Sequence, residues 1–249
     1  MTPRGAEAGP QARPFWLLGA GFAALLLLSA AQPFDLWISA WFYRPSLQAW
    51  PWRAALPWRW LYRYGAYPAL LLAAAALAGL LGSIWRPAWR RYRRAWLVVV
   101  LTVALAPGLL VNGILKPWWG RPRPRQVTDF GGTRAYRPWW RPGGPGAGKS
   151  FPSGHAAIGY ALAAGTCLIA CRRSRLRSIV LAGTVAYGTL VGCARIVQGG
   201  HFASDIFGAG VVTFGTIALL AQGLLRVPAG AREPGRAPGQ SSAAPRHAQ

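Results

Sequence analysis

Six charge-free apolar runs, at 15–31, 65–85, 95–115, 156–171, 179–194 and 206–225, constrain this chain more than any other feature. About 20 apolar residues in a helix cross the hydrocarbon layer of a bilayer, and a helix satisfies its own backbone hydrogen bonds there. The runs therefore predict an all-α integral membrane protein, a six-helix bundle. At 53% hydrophobic and 13% charged residues, the chain is too apolar for a soluble domain of 249 residues. The first run could instead be a signal peptide with a cleavage site at Ser29-Ala30-Ala31, but it is long for one, and a retained span is the reading preferred.

Charge narrows the partner. There are 28 Lys and Arg against 5 Asp and Glu, a net charge of +23. Such a balance suits nucleic acid, an anionic membrane surface or a phosphorylated substrate. The apolar content selects the membrane and argues against nucleic acid. Five arginines crowd 86–94 and four crowd 172–177, whereas the longer connection 116–149 holds eight Lys and Arg. Arginine density marks the two short loops as cytoplasmic and puts 116–149 outside. Six spans place both termini inside. The excess of positive charge outside then calls for a substrate. Trp118, Trp119, Trp139 and Trp140 look like part of an interfacial aromatic belt. The acids are Glu7, Asp35, Asp129, Asp205 and Glu233, too scattered to suggest a metal cage. Cys167, Cys171 and Cys193 lie inside apolar runs and read as packing residues.

Three clusters fall at the outer ends of spans. The first is Lys116-Pro-Trp-Trp-Gly-Arg-Pro-Arg123-Pro124. The second is Pro152-Ser153-Gly154-His155, with Pro152 and Ser153 suited to the first turn of a helix. The third is Arg195, then His201, then Asp205. A helix start attracts anions through its free N–H groups and its dipole. Lys116, Arg123 and Arg195 can surround the oxygens of a transferring phosphoryl group, and Ser153 and the Gly154 N–H can complete the cradle. If the sixth helix begins near 201, His201 and Asp205 share one face. The carboxylate would fix the imidazole tautomer and leave the other nitrogen to attack phosphorus. His155 would protonate the leaving oxygen.

These residues resemble the signature of the type 2 phosphatidic acid phosphatase and vanadium haloperoxidase superfamily: Lys, six residues, Arg-Pro; Pro-Ser-Gly-His; Ser-Arg, five residues, His, three residues, Asp. The match runs through Lys116, Arg123, Pro124, Pro152, Ser153, Gly154, His155, Arg195, His201 and Asp205, and departs at Ala194, where the family often has Ser. The resemblance covers about 95–225. It implies a six-helix membrane phosphatase that forms a phosphohistidine on His201 with no metal and no other cofactor. The membrane branch acts on lipid phosphates: phosphatidic acid, phosphatidylglycerol phosphate, undecaprenyl pyrophosphate or lipid A. On this reading 1–14 is a cytoplasmic segment, 15–226 the six-span phosphatase domain with its core at about 95–225, and 227–249 a disordered cytoplasmic tail. The protein would sit in a bacterial inner membrane with its site facing the periplasm. The outer arginines Arg121, Arg125, Arg134, Arg137 and Arg141 suggest a polyanionic headgroup.

Two literal motif matches fail on context. Gly143 to Ser150 has P-loop spacing but lacks a preceding apolar strand and a suitably placed acid. Cys167, separated from Arg173 by five residues, has the spacing of a cysteine phosphatase, but its thiol would stay protonated in an apolar run. The rival classes are a non-catalytic protein that binds anionic lipid and a transporter. The first does not need His155, His201 and Asp205 together, and the second needs ionisable groups within the spans.

Overall fold

A computed structural model describes residues 11–30, 33–170 and 173–225. The expectations for 1–10, Ala31, Cys171, Arg172 and the tail 227–249 lie outside the described residues. The described chain is helical and has no strand. The helices are α1 (Arg13–Leu28), α2 (Phe34–Ala40), α3 (Trp58–Tyr64), α4 (Tyr67–Gly82), α5 (Arg93–Val103), α6 (Lys116–Trp119), α7 (Gly154–Ala161), α8 (Ser174–Val197) and α9 (Ala203–Leu224).

Each of the six apolar runs is mostly helical over its described residues, but among the described residues only four helices are long and apolar enough to cross a membrane: Trp58–Gly82, Pro87–Gln126, Ser174–Val197 and Ala203–Leu224. The six-span expectation is thus supported in four places. Arg13–Leu28 is apolar but shorter. The run at 156–171 begins as α7 and tightens into the 3-10 turn Leu162–Leu168, which ends at Ile169 in an extended conformation. The stretch 35–64, which lies between the first two apolar runs, holds most of α2 and all of α3, and α3 runs on toward α4 to form one of the four long helices. Its Trp and Arg content hid the helix, because those residues face outward there: Trp60 is 64% exposed.

α9 is the centre of the bundle. α1 lies along it, α5 and α7 pack on it, and α7 is also held by α8. The core between them holds Phe15, Phe22, Val98, Val99, Tyr160, Phe214 and Ile217. With lipid outside, such packing relies on close fit more than on water exclusion. α7 and α8 approach so closely at Gly159 and Gly188 that a Cβ on the first would lie 2.8 Å from the Cα of the second.

α5 continues into a wide π-helix, Ala104–Leu115, which contains Pro107. Proline has no N–H to give and clashes with the preceding turn, so the helix widens instead of breaking. Asn112 Nδ2 donates to the Pro107 carbonyl at 2.6 Å. At the opposite end of the bundle from the site, Arg93 closes the end of α4 by donating to the Ser83 hydroxyl at 2.6 Å and to its carbonyl at 2.9 Å.

The polar connection after α6 folds over the end of the bundle, where its Val127 and Phe130 form an apolar cluster with Tyr43 and Phe202. Gly120, with φ 65°, ends α6 and turns the chain inward, and a Cβ there would meet the Gly144 carbonyl oxygen at 1.8 Å. Trp118 and Trp140 are exposed, as an aromatic belt requires. Trp119 and Trp139 are instead half-buried against Phe151, and Trp119 Nε1 donates to the Trp139 carbonyl.

Candidate active site

The sites predicted from the sequence converge where α6, α7 and α9 begin and α8 ends. α7 starts at Gly154, two residues later than the sequence suggested, with Ser153 as its N-cap. Pro152 therefore lies outside the first turn. The Ser153 hydroxyl accepts from the Ala156 N–H at 3.4 Å, which leaves its own proton for a ligand. The Ser153 N–H donates to the Asp205 carbonyl at 2.9 Å and so ties the second cluster to the third.

α9 starts at Ala203, so His201 is not on the helix and does not reach Asp205 across a helical face. The contact arises from capping. Asp205 is the third residue of α9, and its Oδ2 accepts from the Phe202 N–H at 2.9 Å, closing the helix start. The same oxygen meets His201 Nδ1 at 3.2 Å. With Nδ1 engaged, Nε2 is the nitrogen left for chemistry. Burial lowers the His201 imidazole well below its ordinary pKa against the pull of Asp205, and the charges of Lys116 and Arg195 act in the same direction as burial. The neutral imidazole is the form that can attack.

The cations are placed by neighbours. Lys116 Nζ donates to Asn112 Oδ1 at 2.9 Å. A Cβ on Gly154 would stand 2.7 Å from that Asn112 oxygen and 3.1 Å from Lys116 Nζ, so the absence of a side chain at 154 lets the ammonium reach the start of α7. Arg195 is 5% exposed. Its guanidinium carbon sits 4.3 Å from the Tyr62 ring centre, and Nη1 donates to Gln198 Oε1. Gly200 admits it, since a Cβ there would clash with Nη2 at 2.4 Å. Arg123 is half-buried and shares a cleft with Arg195. His155 stacks on Tyr62 with ring centres 5.0 Å apart. Burial lowers its pKa to about 4, and Arg195 and Lys116 add to the effect. Lys116, Arg123, Ser153, Gly154, His155, Arg195, His201 and Asp205 thus gather at one end of the bundle.

One arginine does not behave as the sequence suggested. Arg121, grouped there with headgroup-facing arginines, is fully buried. Its Nη1 donates to Asp205 Oδ1 at 2.6 Å and to Ser204 Oγ at 2.7 Å, its Nη2 to Asp35 Oδ2 at 2.7 Å, and its Nε to the Arg137 carbonyl at 2.9 Å. Asp35 in turn accepts from the Ser204 N–H at 3.0 Å. Ser150, inside the P-loop-like stretch, donates its hydroxyl to Asp205 Oδ2. A buried chain, Asp35–Arg121–Asp205–His201, therefore stands behind the imidazole. Asp35, Arg121, Ser150, Asn112 and Tyr62 escaped sequence reasoning. The one available signal was Asp35, an acid at the edge of apolar sequence in a chain with so few acids.

Two cavities meet the cradle. One of about 370 Å³ has Lys116, Asn112 and His155 at its polar end and Leu70, Val103, Pro107 and Ile158 along its walls. The other, of about 530 Å³, is basic and includes Arg123 and Arg195.

The profile of the PAP2 superfamily matches residues 95–227, more than half of the chain. The chain belongs to this superfamily. A lipid A 4'-phosphatase of Francisella tularensis subsp. novicida (strain U112) is 32% identical over 156 residues, which cover 62% of this chain and 69% of that protein. A lipid A 4'-phosphatase of Rhizobium leguminosarum is 36% identical over 111 residues, 44% of this chain and 46% of that protein. Another from Rhizobium etli (strain ATCC 51251 / DSM 11541 / JCM 21823 / NBRC 15573 / CFN 42) is 36% identical over 104 residues, 41% and 39% of the two chains. The matches therefore span less than half of either Rhizobium protein. No solved structure matches the chain. Family, relatives and apolar helices together make this protein a membrane lipid phosphatase.

Proposed function

We propose that this membrane lipid phosphatase removes a phosphate monoester from lipid A or a closely related glycolipid, through a phosphohistidine on His201. The observation that carries the mechanism is the His201 Nδ1–Asp205 contact, which leaves Nε2 free beside the charges of Lys116 and Arg195, with Arg123 near His155. The substrate reading rests on the relatives' names.

In the first step the Nε2 lone pair forms a P–N bond while the ester P–O bond breaks, and His155 gives its proton to the departing alkoxide. Lys116, Arg123, Arg195 and the start of α7 offset the charge on the equatorial oxygens. In the second step His155 takes a proton from water, the oxygen attacks phosphorus, the P–N bond breaks, and inorganic phosphate leaves. The positive charge that develops on the imidazole is met by Asp205. The apolar cavity lined by Leu70, Val103 and Ile158 suits the acyl part of the substrate.

We also propose six spans with the site on the periplasmic side. The arginine-rich ends 86–94 and 173–177 lie at the opposite end of the bundle from His201, which supports this orientation. A reporter fused after residue 140 should read periplasmic, and a cytoplasmic reading would reverse the assignment.

Phosphate release from lipid A, phosphatidic acid, phosphatidylglycerol phosphate and undecaprenyl pyrophosphate, assayed in chelator, tests the function directly. Lipid A should be turned over fastest, with rapid-quench label on His201. Turnover that requires added Mg²⁺, or label on another residue, would sink the mechanism. A clear preference for phosphatidic acid would sink the substrate.

A further inference from the structure

The basic cleft beside the cradle holds more positive charge than the reaction uses. Its walls carry Arg53, Arg59 and Arg125 in addition to Arg123 and Arg195, and no carboxylate lines it. The transferring phosphate has a charge of about −1.5 to −2. Lys116, Arg123 and Arg195 already offset it. Arg53, Arg59 and Arg125 are left without an anion: of the three described acids, Asp35 and Asp205 are both committed to Arg121, and Asp129 is exposed outside the cleft. Like charges brought together repel, so an arrangement of this kind is suited to an anionic ligand.

The cleft is also held in shape. Gln198, whose Oε1 accepts from Arg195, donates through Nε2 to the Arg53 carbonyl at 3.1 Å and to the Trp58 carbonyl at 3.2 Å. The Arg125 N–H donates to the Gly199 carbonyl at 3.2 Å. The backbones that carry Arg53 and Arg125 are therefore pinned to the same end of α8 that carries Arg195. Tyr62, in contact with both His155 and Arg195, forms part of the wall between acid and cleft.

We propose that Arg53, Arg59 and Arg125 form a second anion subsite, which grips another phosphate or carboxylate of the same substrate while the scissile phosphate occupies the cradle. The inference rests on the lipid phosphatase reading and narrows it. The preferred substrate carries at least two anionic groups, and a lipid whose only anion is the scissile phosphate leaves the cleft idle.

The test reads binding, so it does not depend on turnover. His201→Ala in neutral detergent micelles is titrated with an acylated disaccharide that carries two phosphates and with the same lipid that carries only the scissile one. The two-phosphate lipid should bind about tenfold tighter or better, the scale of charge-assisted hydrogen bonds to one anion. Adding Arg53→Gln, Arg59→Gln and Arg125→Gln should bring that ratio to within about twofold, with unchanged thermal unfolding as the control for folding. A ratio near one before those substitutions, or a ratio they do not change, overturns the subsite. A second arm adds an anionic phospholipid to the micelles. If the arginines affect only binding to that phospholipid, the cleft serves the bilayer surface and the proposal fails. Failure of the parent protein to hydrolyse either glycolipid would count against the function while leaving the binding result to stand by itself.

Discussion

Arg121→Met removes the positive centre of a buried charge network and little else. Asp35, Arg121 and Asp205 carry −1, +1 and −1, a sum of −1, and all three are essentially excluded from solvent. The variant leaves −2. Loss of one partner of a buried ion pair costs about 3–5 kcal/mol, a large part of a typical total of about 5–15 kcal/mol. Asp35→Leu/Arg121→Met restores the sum to −1, because one charge of each sign is gone. It should therefore unfold at a higher temperature than Arg121→Met alone and recover about 1–3 kcal/mol of the loss as coupling between neighbours. Function should not recover with stability. The Asp205 carboxylate has four partners, the Arg121, Ser150 and His201 side chains and the Phe202 backbone N–H, and both variants delete the first. A carboxylate held less firmly orients the imidazole less well, and kcat should fall by about 10–100-fold in both, the scale seen when a group one step removed from a reactive ligand is lost. Thermal unfolding in detergent and kcat on a lipid phosphate measure the two effects. If Arg121→Met is as stable as the parent, or if the double variant is no more stable than Arg121→Met, the network does not carry the weight assigned to it. If both variants keep full kcat, Arg121 does not position Asp205.

His155→Ala should lose far more activity on a lipid phosphate, whose alkoxide leaves poorly, than on p-nitrophenyl phosphate, whose leaving group needs no proton; equal loss on both would remove His155 as the acid. The protein places the His155 pKa at about 4, so at pH 7 only about one site in a thousand carries the proton that the acid needs, while a phosphate monoester becomes a dianion above its second pKa of about 6. The product of these two populations is flat between pH about 4 and 6 and falls on either side, so kcat/KM should peak on the acid side of neutrality, and a maximum at pH 8 would refute this pairing. Gly154→Ala should displace Lys116 and Asn112, whose atoms stand 3.1 and 2.7 Å from the added carbon, and lower kcat/KM by about a hundredfold with little change in unfolding temperature; unchanged kinetics would take Lys116 out of the cradle.

How much of this was legible in the sequence differs between the front and the back of the site. The groups proposed to touch phosphate lie in short segments with fixed spacing, Lys116 to Arg123, Ser153 to His155 and Arg195 to Asp205, and each segment marks a helix end that periodicity already locates. The structure brings them together as expected. The supporting charges were not legible, because they depend on partners far apart in the chain. Arg121 lies 86 positions from Asp35 and 84 from Asp205. In the sequence it is one arginine among several in a polar loop. Only the inward turn at Gly120 separates its fate from that of Arg123 or Arg125. The same holds for the fourth run, whose composition is that of a span. It tightens into a 3-10 turn after Ala161, and most of α7 is buried by α8, α9 and the π-helical stretch. Its apolar side chains serve the core, which composition alone cannot tell from lipid exposure.

The distribution of charge also gives the site a direction. Among the described residues the two acids near the site, Asp35 and Asp205, lie on the Nδ1 side of His201, and both bind Arg121. Lys116, Arg123 and Arg195 have no carboxylate partner and remain available to a ligand. In the proposed mechanism a phosphate dianion is drawn toward Nε2 by uncompensated cations, while the imidazole that it would modify is stabilised from behind by a carboxylate already held in place. In the proposed mechanism the first interaction lowers the barrier to attack and the second supports the cationic phosphoimidazole that results. Exchanging the two would defeat both steps: a carboxylate in front would repel the phosphate, and an arginine behind would withdraw electron density from the nucleophile. The buried Asp35–Arg121 pair fits this requirement. It fixes Asp205 while adding no net charge, so the carboxylate is positioned without its field being cancelled.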